Sequence, residues 1–204
     1  MSEPKKVIII GASGHAKVIA DIVIASGDIL VGFLDRAVGN KDVLGYPVLG
    51  NDSEYNKYLD CYFIIGIGNN KIRESLSKKF DGVRWYTAIH PSAIISTLNV
   101  TIGEGTVIMA NAVINPSVNI GKHCIINSSS VVEHDDNIGD YCHISVGAKL
   151  AGSVSVTDGS FIGIGVVVKD GIKINEVSII GAGAVVVKNI DTPGVYVGVP
   201  TKLV

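Results

Sequence analysis

The chain has 204 residues, a formal net charge of −2 and 47% hydrophobic residues, enough for two domains that each bury a core. Lysine and arginine form no cluster, which argues against nucleic acid as a partner, because its phosphates require a basic surface. The apolar run Val7 to Ile10 is far too short for a signal-peptide core or a membrane span, so we expect a soluble, cytoplasmic protein without stable membrane insertion.

The first part of the chain alternates predicted strands with predicted helices. The pattern predicts helices at 16–25 and 71–79, and strands or extended pieces at 5–10, 29–34, 45–49 and 62–67. Strands that alternate with helices indicate a small parallel sheet of Rossmann type. We therefore predict an α/β Rossmann-like domain over residues 1–86.

From Ile102 to Val186 every sixth residue is aliphatic. A period of six is that of the hexapeptide parallel β-helix, in which three hexads form one triangular coil. We expect the aliphatic residues to point inward and the residues four positions later to be small, because they face a tight corner. We predict a β-helix domain over 87–190, with a one-residue slip around Asn99, and an irregular C-terminal cap over 191–204.

Several glycines directly follow one of these aliphatic residues. We expect a sharp bend there that excludes a Cβ. The five positions are Gly103, Gly121, Gly139, Gly163 and Gly181.

Cys124 and Cys142 are three hexads apart, so they should occupy the same corner of successive coils. Stacked strands lie about 4.8 Å apart, which leaves a disulfide sterically conceivable. Because cytosolic thiols are usually reduced, we expect reduced core thiols.

The segment Glu133-His134-Asp135-Asp136 is the most strongly charged part of the repeat region. A carboxylate near an imidazole fixes its tautomer and raises its basicity, as a general base requires. The segment is also consistent with a solvated acidic turn. Asp136 falls four positions after an inward aliphatic residue, where a carboxylate needs a partner, and His134 is the nearest candidate.

Two further features of the repeat region could bind a cofactor. His143 could donate to an acyl carbonyl or could cap an edge. Val146, Ile164 and Ala182 stack at one coil position and are flanked by glycines. They predict a wall for a long, thin cofactor bonded through main-chain amides, unless the glycines serve only the turns.

In the first domain, the turn Gly11 to His15 joins a strand to a helix, where free N–H groups attract phosphate. Position 13 is serine, so the turn lacks the GxGxxG dinucleotide fingerprint, and a nucleoside diphosphate is the predicted ligand class. Asp35, at the end of the second strand, is placed to bond ribose or base hydroxyls, or is an ordinary turn residue.

Six motifs together resemble the bacterial sugar O-/N-acyltransferase family with hexapeptide repeats, over essentially the whole chain. They are GASGH (11–15), FLD (33–35), IGIGNN (65–70), SSVVEHDD (129–136), HISVGAKLAG (143–152) and GVYVGVPTK (194–202). Within the family the chain looks most like the UDP-N-acetylbacillosamine type of UDP-4-amino-sugar N-acetyltransferase, which serves protein glycosylation. The sialic acid O-acetyltransferases come next.

The resemblance implies a left-handed β-helix and an acetyl-CoA-dependent homotrimer with active sites between subunits. We expect no metal. It implies that His134 is the catalytic base, supported by Asp135, although an aspartate is one methylene shorter than the glutamate usual there. Whether Asp135 or Asp136 orients the base therefore stays open. It further implies that acetyl-CoA contacts His143, Ile164 and Ala182, and that the UDP-sugar pocket contains Ser13, Gly14, His15, Asp35, Arg36 and Gly68.

The hypothesis for function is direct transfer of an acetyl group from acetyl-CoA to the 4-amino group of a UDP-linked amino sugar, with His134 as general base. Acetylation of a sugar hydroxyl, or of sialic acid, is an alternative that the sequence does not separate. A second alternative is a non-catalytic trimer that binds a nucleotide sugar. A metal-dependent enzyme would need three convergent histidines, whereas His123, His134 and His143 fall at unlike coil positions.

Overall fold

The computed structural model describes residues 3–37, 42–175 and 177–204. Its amino-terminal part confirms the predicted Rossmann-type sheet. The elements are β1 (Lys6–Ile10), α1 (Gly14–Ala25), β2 (Ile29–Leu34), β3 (Asp42–Val43), β4 (Tyr46–Gly50), a 3₁₀-helix (Asp52–Tyr58), β5 (Tyr62–Ile65), α2 (Asn70–Lys79) and β6 (Arg84–Trp85). The strand order is β3-β4-β2-β1-β5-β6, and all pairs are parallel except the β3–β4 hairpin.

Local chemistry explains where the helices of this part begin. The Asn69 side chain accepts the amide of Ile72 and so caps α2, and Asn51 accepts the amide of Ser53 at the start of the 3₁₀-helix. Helix α1 follows Ser13, whose side chain makes no capping bond within the described chain. The first amides of α1 are therefore available to a ligand.

The second part is a parallel β-helix with three faces, as the hexads predict. Each strand covers two residues in most coils. The first face contains β7 (Ala88–Ile89), β10 (Val107–Ile108), β13 (Ile125–Ile126), β16 (His143–Ile144), β19 (Phe161–Ile162) and β22 (Ser178–Ile180). The second face contains β8 (Ile94–Ile95), β11 (Val113–Ile114), β14 (Val131–Val132), β17 (Lys149–Leu150), β20 (Val167–Val168) and β23 (Val185–Val186). The third face contains β9 (Thr101–Ile102), β12 (Asn119–Ile120), β15 (Asn137–Ile138), β18 (Ser155–Val156) and β21 (Lys173–Ile174).

Strand pairing confirms both the period and the predicted slip. Ile89 pairs with Ile108, whereas Ile108 pairs with Ile126, so one extra residue lies in the first coil. The aliphatic residues of the hexads are buried except Ile102, which packs against the same core from the first coil. All residues four positions after them are buried too. The interior is thus a continuous buried column, which is apolar apart from a few polar side chains at the corners.

The glycines at the first position after the aliphatic residues have a different cause from the one predicted. A Cβ on Gly103 would lie 2.5 Å from the carbonyl carbon of Gly121 in the next coil, so close coil stacking requires the glycine. The sharp bend comes two residues later, where φ is positive. Non-glycine residues also take this conformation, including Asn111 (φ 58), Ser117 (φ 62) and Asp135 (φ 63).

The tail is more regular than the predicted cap. β24 (Gly194–Val197) extends the first face by pairing with β22, and β25 (Lys202–Leu203) folds back antiparallel on it. This hairpin covers the open end of the last coil. No helix in the described ranges is both long and apolar enough to cross a bilayer.

The cysteines are unpaired and buried. Cys124 Sγ donates to the Gly139 carbonyl at 3.0 Å, and Cys142 Sγ donates to the Thr157 carbonyl at 3.1 Å. Each thiol thus points at the backbone of the coil above, which agrees with the expectation of reduced core thiols.

Arg73 of α2 joins the sheet domain to the β-helix. Its side chain is 1% exposed, and the guanidinium donates to the carbonyls of His123 (2.6 Å) and Tyr141 (2.8 Å) on the corner between the third and first faces. It also donates to the Gly68 carbonyl at 3.1 Å. Burial lowers the pKa of Arg73 to about 10, so it stays charged at neutral pH. Within the described residues no carboxylate pairs with Arg73. The dipoles of the carbonyl groups that accept its hydrogen bonds therefore stabilise its buried charge.

We expect Arg73→Leu to lower the free energy of unfolding by about 2–4 kcal/mol, because it leaves buried carbonyls without a donor. Denaturant unfolding followed by the fluorescence of Trp85, which packs on His123 at the same interface, measures the effect. Lys78→Met, an exposed change on the same helix, should alter stability by less than about 0.5 kcal/mol. Equal stability of the two variants would contradict the role of Arg73.

Candidate active site

His134 projects into solvent at the corner between the second and third faces. Its side chain is 60% exposed, and Nδ1 lies 2.8 Å from Asp135 Oδ2. The hydrogen bond to Asp135 is the main cause that raises the pKa of His134 above its ordinary value. Because Asp135 holds Nδ1, the other ring nitrogen, Nε2, is the one available to a substrate proton.

Gly152 makes room for this imidazole. It occupies the same corner one coil above, and a Cβ there would lie 2.5 Å from His134 Cε1 and 2.6 Å from Nε2. The His134 carbonyl also accepts the Ser153 amide at 2.9 Å. The ring therefore packs closely against the backbone of the next coil at Gly152. The sequence analysis did not identify this role of Gly152. The available signal was its position three hexads, or one full coil, after His134.

Asp136 does not bond His134, contrary to the expectation from the sequence. Its carboxylate is 1% exposed and accepts two backbone amides instead, from Glu133 at 3.0 Å and from Val154 at 2.7 Å. Burial raises the pKa of Asp136 to about 7. Asp135, which takes a left-handed backbone, is the carboxylate that reaches the imidazole.

His143 and His15 face one another where the two domains meet. Their ring centroids are 6.4 Å apart. Burial, followed by the nearby Arg73 charge, lowers the pKa of each to about 4, so both are neutral at pH 7. Asn127 Nδ2 lies 3.0 Å from His143 Nε2. Since the amide nitrogen donates, the His143 proton is on Nδ1, which lies near the Gly68 carbonyl but makes no well-aligned hydrogen bond among the described residues. His143 thus offers a buried N–H donor.

The other predicted nucleotide-sugar residues line the carboxyl edge of the sheet. Asp35 Oδ2 accepts the Ala12 amide at 2.7 Å, and this bond stabilises the turn that leads to Ser13 and Gly14. Asp35 and Arg36 border a cavity of about 260 Å³. Gly68 borders a neighbouring groove of about 520 Å³, whose opposite wall is the first face of the β-helix. The structure thus places these residues on two adjoining concavities.

The predicted cofactor residues lie on the corner between the first and second faces. Val146 is 43% exposed and Ile164 is 57% exposed, and Ala182 stacks above them. Their amides donate to no backbone carbonyl among the described residues. The glycines that follow them, at 147, 165 and 183, have a left-handed φ, and a Cβ there would meet nothing within 4 Å. This corner therefore offers an open wall with free donors, as a main-chain-bound cofactor needs.

One chain does not bring all these groups together. His134 is on the corner between the second and third faces, whereas His143 and His15 are at the first face. No cluster of three or more metal-ligating side chains occurs within 3–37, 42–175 and 177–204.

We expect Gly152→Ala to push the His134 ring off the coil, because the new methyl group would overlap the imidazole. A shift of the His134 Cε1 proton resonance, or a displaced ring in a crystal structure, would report it. Asp170→Ala changes the same corner position one coil higher and should leave the ring in place. An unmoved resonance in Gly152→Ala would count against the packing described above.

Two family models match the chain. The model of the PglD N-terminal domain matches residues 6–80, and the bacterial transferase hexapeptide model, which covers six repeats, matches residues 99–134. UDP-N-acetylbacillosamine N-acetyltransferase of Bacillus subtilis is 39% identical over 113 residues, which is 52% of this chain and 52% of that protein. The aligned region thus spans about half the length of this curated relative.

Solved structures are similar over nearly the whole chain. PerB of Caulobacter crescentus, in complex with CoA and GDP-perosamine, is 37% identical, has a TM-score of 0.92, and covers 97% of this chain and 96% of its own. The acetyltransferase domain of PglB from Neisseria gonorrhoeae is 30% identical, has a TM-score of 0.91, and covers 98% and 100%, and it has also been solved in complex with acetyl coenzyme A.

Proposed function

The chain belongs to the bacterial family of hexapeptide-repeat sugar N-acetyltransferases, and from that premise we propose that it transfers an acetyl group from acetyl-CoA to an amino group of a nucleotide-linked amino sugar. The finer proposal is a UDP-linked sugar with a 4-amino group. The observation that carries the reaction is the His134–Asp135 pair, an exposed imidazole with one nitrogen held by a carboxylate and the other free.

In the proposed reaction, His134 acts as general base and the transfer is direct. The amine nitrogen forms a bond to the thioester carbonyl carbon, and Nε2 of His134 takes the proton that the amine loses. The C–S bond then breaks, and His134 returns the proton to the leaving sulfur. An amine is already a competent nucleophile, so no acyl-enzyme is required, and the site supplies proximity.

The remaining residues position the reactants. The buried N–H of His143, together with the free amides of Ile164 and Ala182, supports a role in holding the thioester and steadying the oxyanion. The first amides of α1, at Gly14 and His15, fit the diphosphate. Asp35, Arg36 and Gly68 border the cavities that fit the nucleoside and sugar. His134 must be neutral to accept a proton, so the rate should fall as pH drops through its raised pKa.

We propose a homotrimer, because the surface of the second face supports self-association. Its outward residues are apolar except Lys149: Ile94, Val113, Val131, Val167 and Val185. Those of the third face are polar: Thr101, Asn119, Asn137, Ser155 and Lys173. Packing of three second faces around an axis would bring the His134 corner of each copy against the Ile164 corner of the next. This arrangement would complete the site. The unpaired thiols fit the expected cytoplasmic location.

We expect His134→Ala to lower kcat by about two to four orders of magnitude while the protein stays folded, since the side chain is exposed. CoA release from acetyl-CoA with a UDP-4-amino sugar measures it. The matched GDP-4-amino sugar tests the nucleotide, and a sugar that offers only hydroxyl groups tests N- against O-transfer. Near wild-type turnover in His134→Ala would refute the base, and a preference for GDP would refute the UDP assignment.

We expect Val167→Asp, which places a charge on the second face, to dissociate the trimer. Light scattering after size exclusion gives the mass. Ser155→Asp puts the same charge on the third face and should leave the mass unchanged. Equal masses for both variants would mean that the second face is not the subunit contact.

A further inference from the structure

Asp136 interrupts an apolar column. The residues stacked with it at the corner between the second and third faces are Val118, Val154, Ile172 and Ile190, all buried. An isolated buried carboxylate costs free energy unless strong bonds compensate it. Valine occupies this position in the coils directly below and above, at 118 and 154, so the carboxylate needs an explanation other than core packing.

Its two oxygens hold backbone on both sides of the imidazole. Oδ2 accepts the amide of Glu133, the residue before His134, at 3.0 Å. Oδ1 accepts the amide of Val154, two residues after Gly152, at 2.7 Å. One carboxylate thus links the turn that carries the ring to the turn on which the ring lies.

The bond to Glu133 also replaces a bond of the coil ladder. Elsewhere, the residue after the inward aliphatic donates its amide to the aliphatic carbonyl one coil up, as Asn115 does to Val132 (3.0 Å) and Ala151 does to Val168 (3.1 Å). Among the equivalent described positions from 103 to 169, Glu133 alone makes no such bond. Other polar residues at the Asp136 position, such as Thr106, accept an amide from the next coil without breaking the ladder.

We propose that Asp136 is a positioning residue, which takes the Glu133 amide out of the coil ladder and thereby fixes the His134 imidazole over Gly152. The kinetic consequence rests on the proposed function, whereas the position of the ring does not. Asp136 bonds neither substrate nor ring; it acts through the backbone, and its charge is only the last of the causes that raise the pKa of His134.

The ionisation of Asp136 adds a second readout. The groups that face it are Glu133 and His134 on its own turn and apolar side chains from the adjoining coils. Because burial raises its pKa to about 7 from an ordinary 3.8, the folded protein holds this proton more tightly than the unfolded chain. The resulting stabilisation is complete below pH 3.8 and is lost as pH rises towards 7. The carboxylate form, which accepts both amides, is therefore kept at a cost in stability.

Asp136→Val tests the proposal, because it removes both acceptors and matches the column. At pH 8 we expect an unchanged or higher melting temperature, a kcat roughly 10- to 100-fold lower, KM values within about threefold, and a shifted His134 Cε1 proton resonance. Asp136→Ser, which keeps one acceptor as Ser160 does for the Ser178 amide, should be intermediate. Ile172→Val changes the same column two coils up and should alter neither kcat nor the resonance.

Two results would overturn the proposal: wild-type kcat and resonance in Asp136→Val, or a loss of kcat with the resonance unmoved, because the effect would then not pass through the ring. If the wild type has no acetyltransferase activity, the resonance still decides the position of the ring, so the two failures are distinguishable. If Asp136→Val does not fold, Asp136→Ser is judged by the same two criteria.

Discussion

The backbone hydrogen bonds between coils fix everything else in the repeat region. They keep residues three hexads apart in one column, so a corner or face has the same environment from coil to coil. The aliphatic side chains point inward, the bend takes a positive φ at most corners, and some corners require a glycine next to the aliphatic residue, as at Gly103. Two departures from this pattern lie together at one corner, where Asp136 is charged in an apolar column and the Glu133 amide leaves the ladder.

Burial divides four of the five histidines into two chemical types. His134 is exposed and paired with a carboxylate, so it can take and release a proton near neutral pH. Burial lowers the pKa of His15, His123 and His143 to about 4, so these three stay neutral and can only donate or accept a fixed hydrogen bond. Arg73 contributes to the lower pKa of each. The same guanidinium that docks the two domains thus helps to keep His143 a neutral donor.

The sequence predicted what depends on local pattern and missed what depends on contacts across coils or domains. Hexads gave the β-helix and its slip at Asn99, because the period is a property of the chain itself. The predicted strands and helices of the sheet domain end within two residues of the observed ones. The prediction that His134 is the partner of Asp136 was wrong. It relied on nearness in sequence, whereas the Asp136 carboxylate accepts amides from two successive coils.

Arg73 shows the limit of sequence patterns more clearly. In sequence it is one cation in a polar helix, and only the docking of that helix on a corner of the β-helix buries it.

The division of the candidate groups between faces is the physical reason for proposing that more than one copy of the chain forms the site. A carboxylate-paired imidazole must be exposed to titrate, and exposure places it on a corner that the sheet domain does not cover. The groove beside Gly68 and the neutral donor of His143 lie instead where the sheet domain packs against the first face. One triangular coil cannot hold both kinds of environment at the same corner. A neighbouring β-helix that packs its own exposed corner against the first can, because association then supplies the enclosure that the free chain lacks.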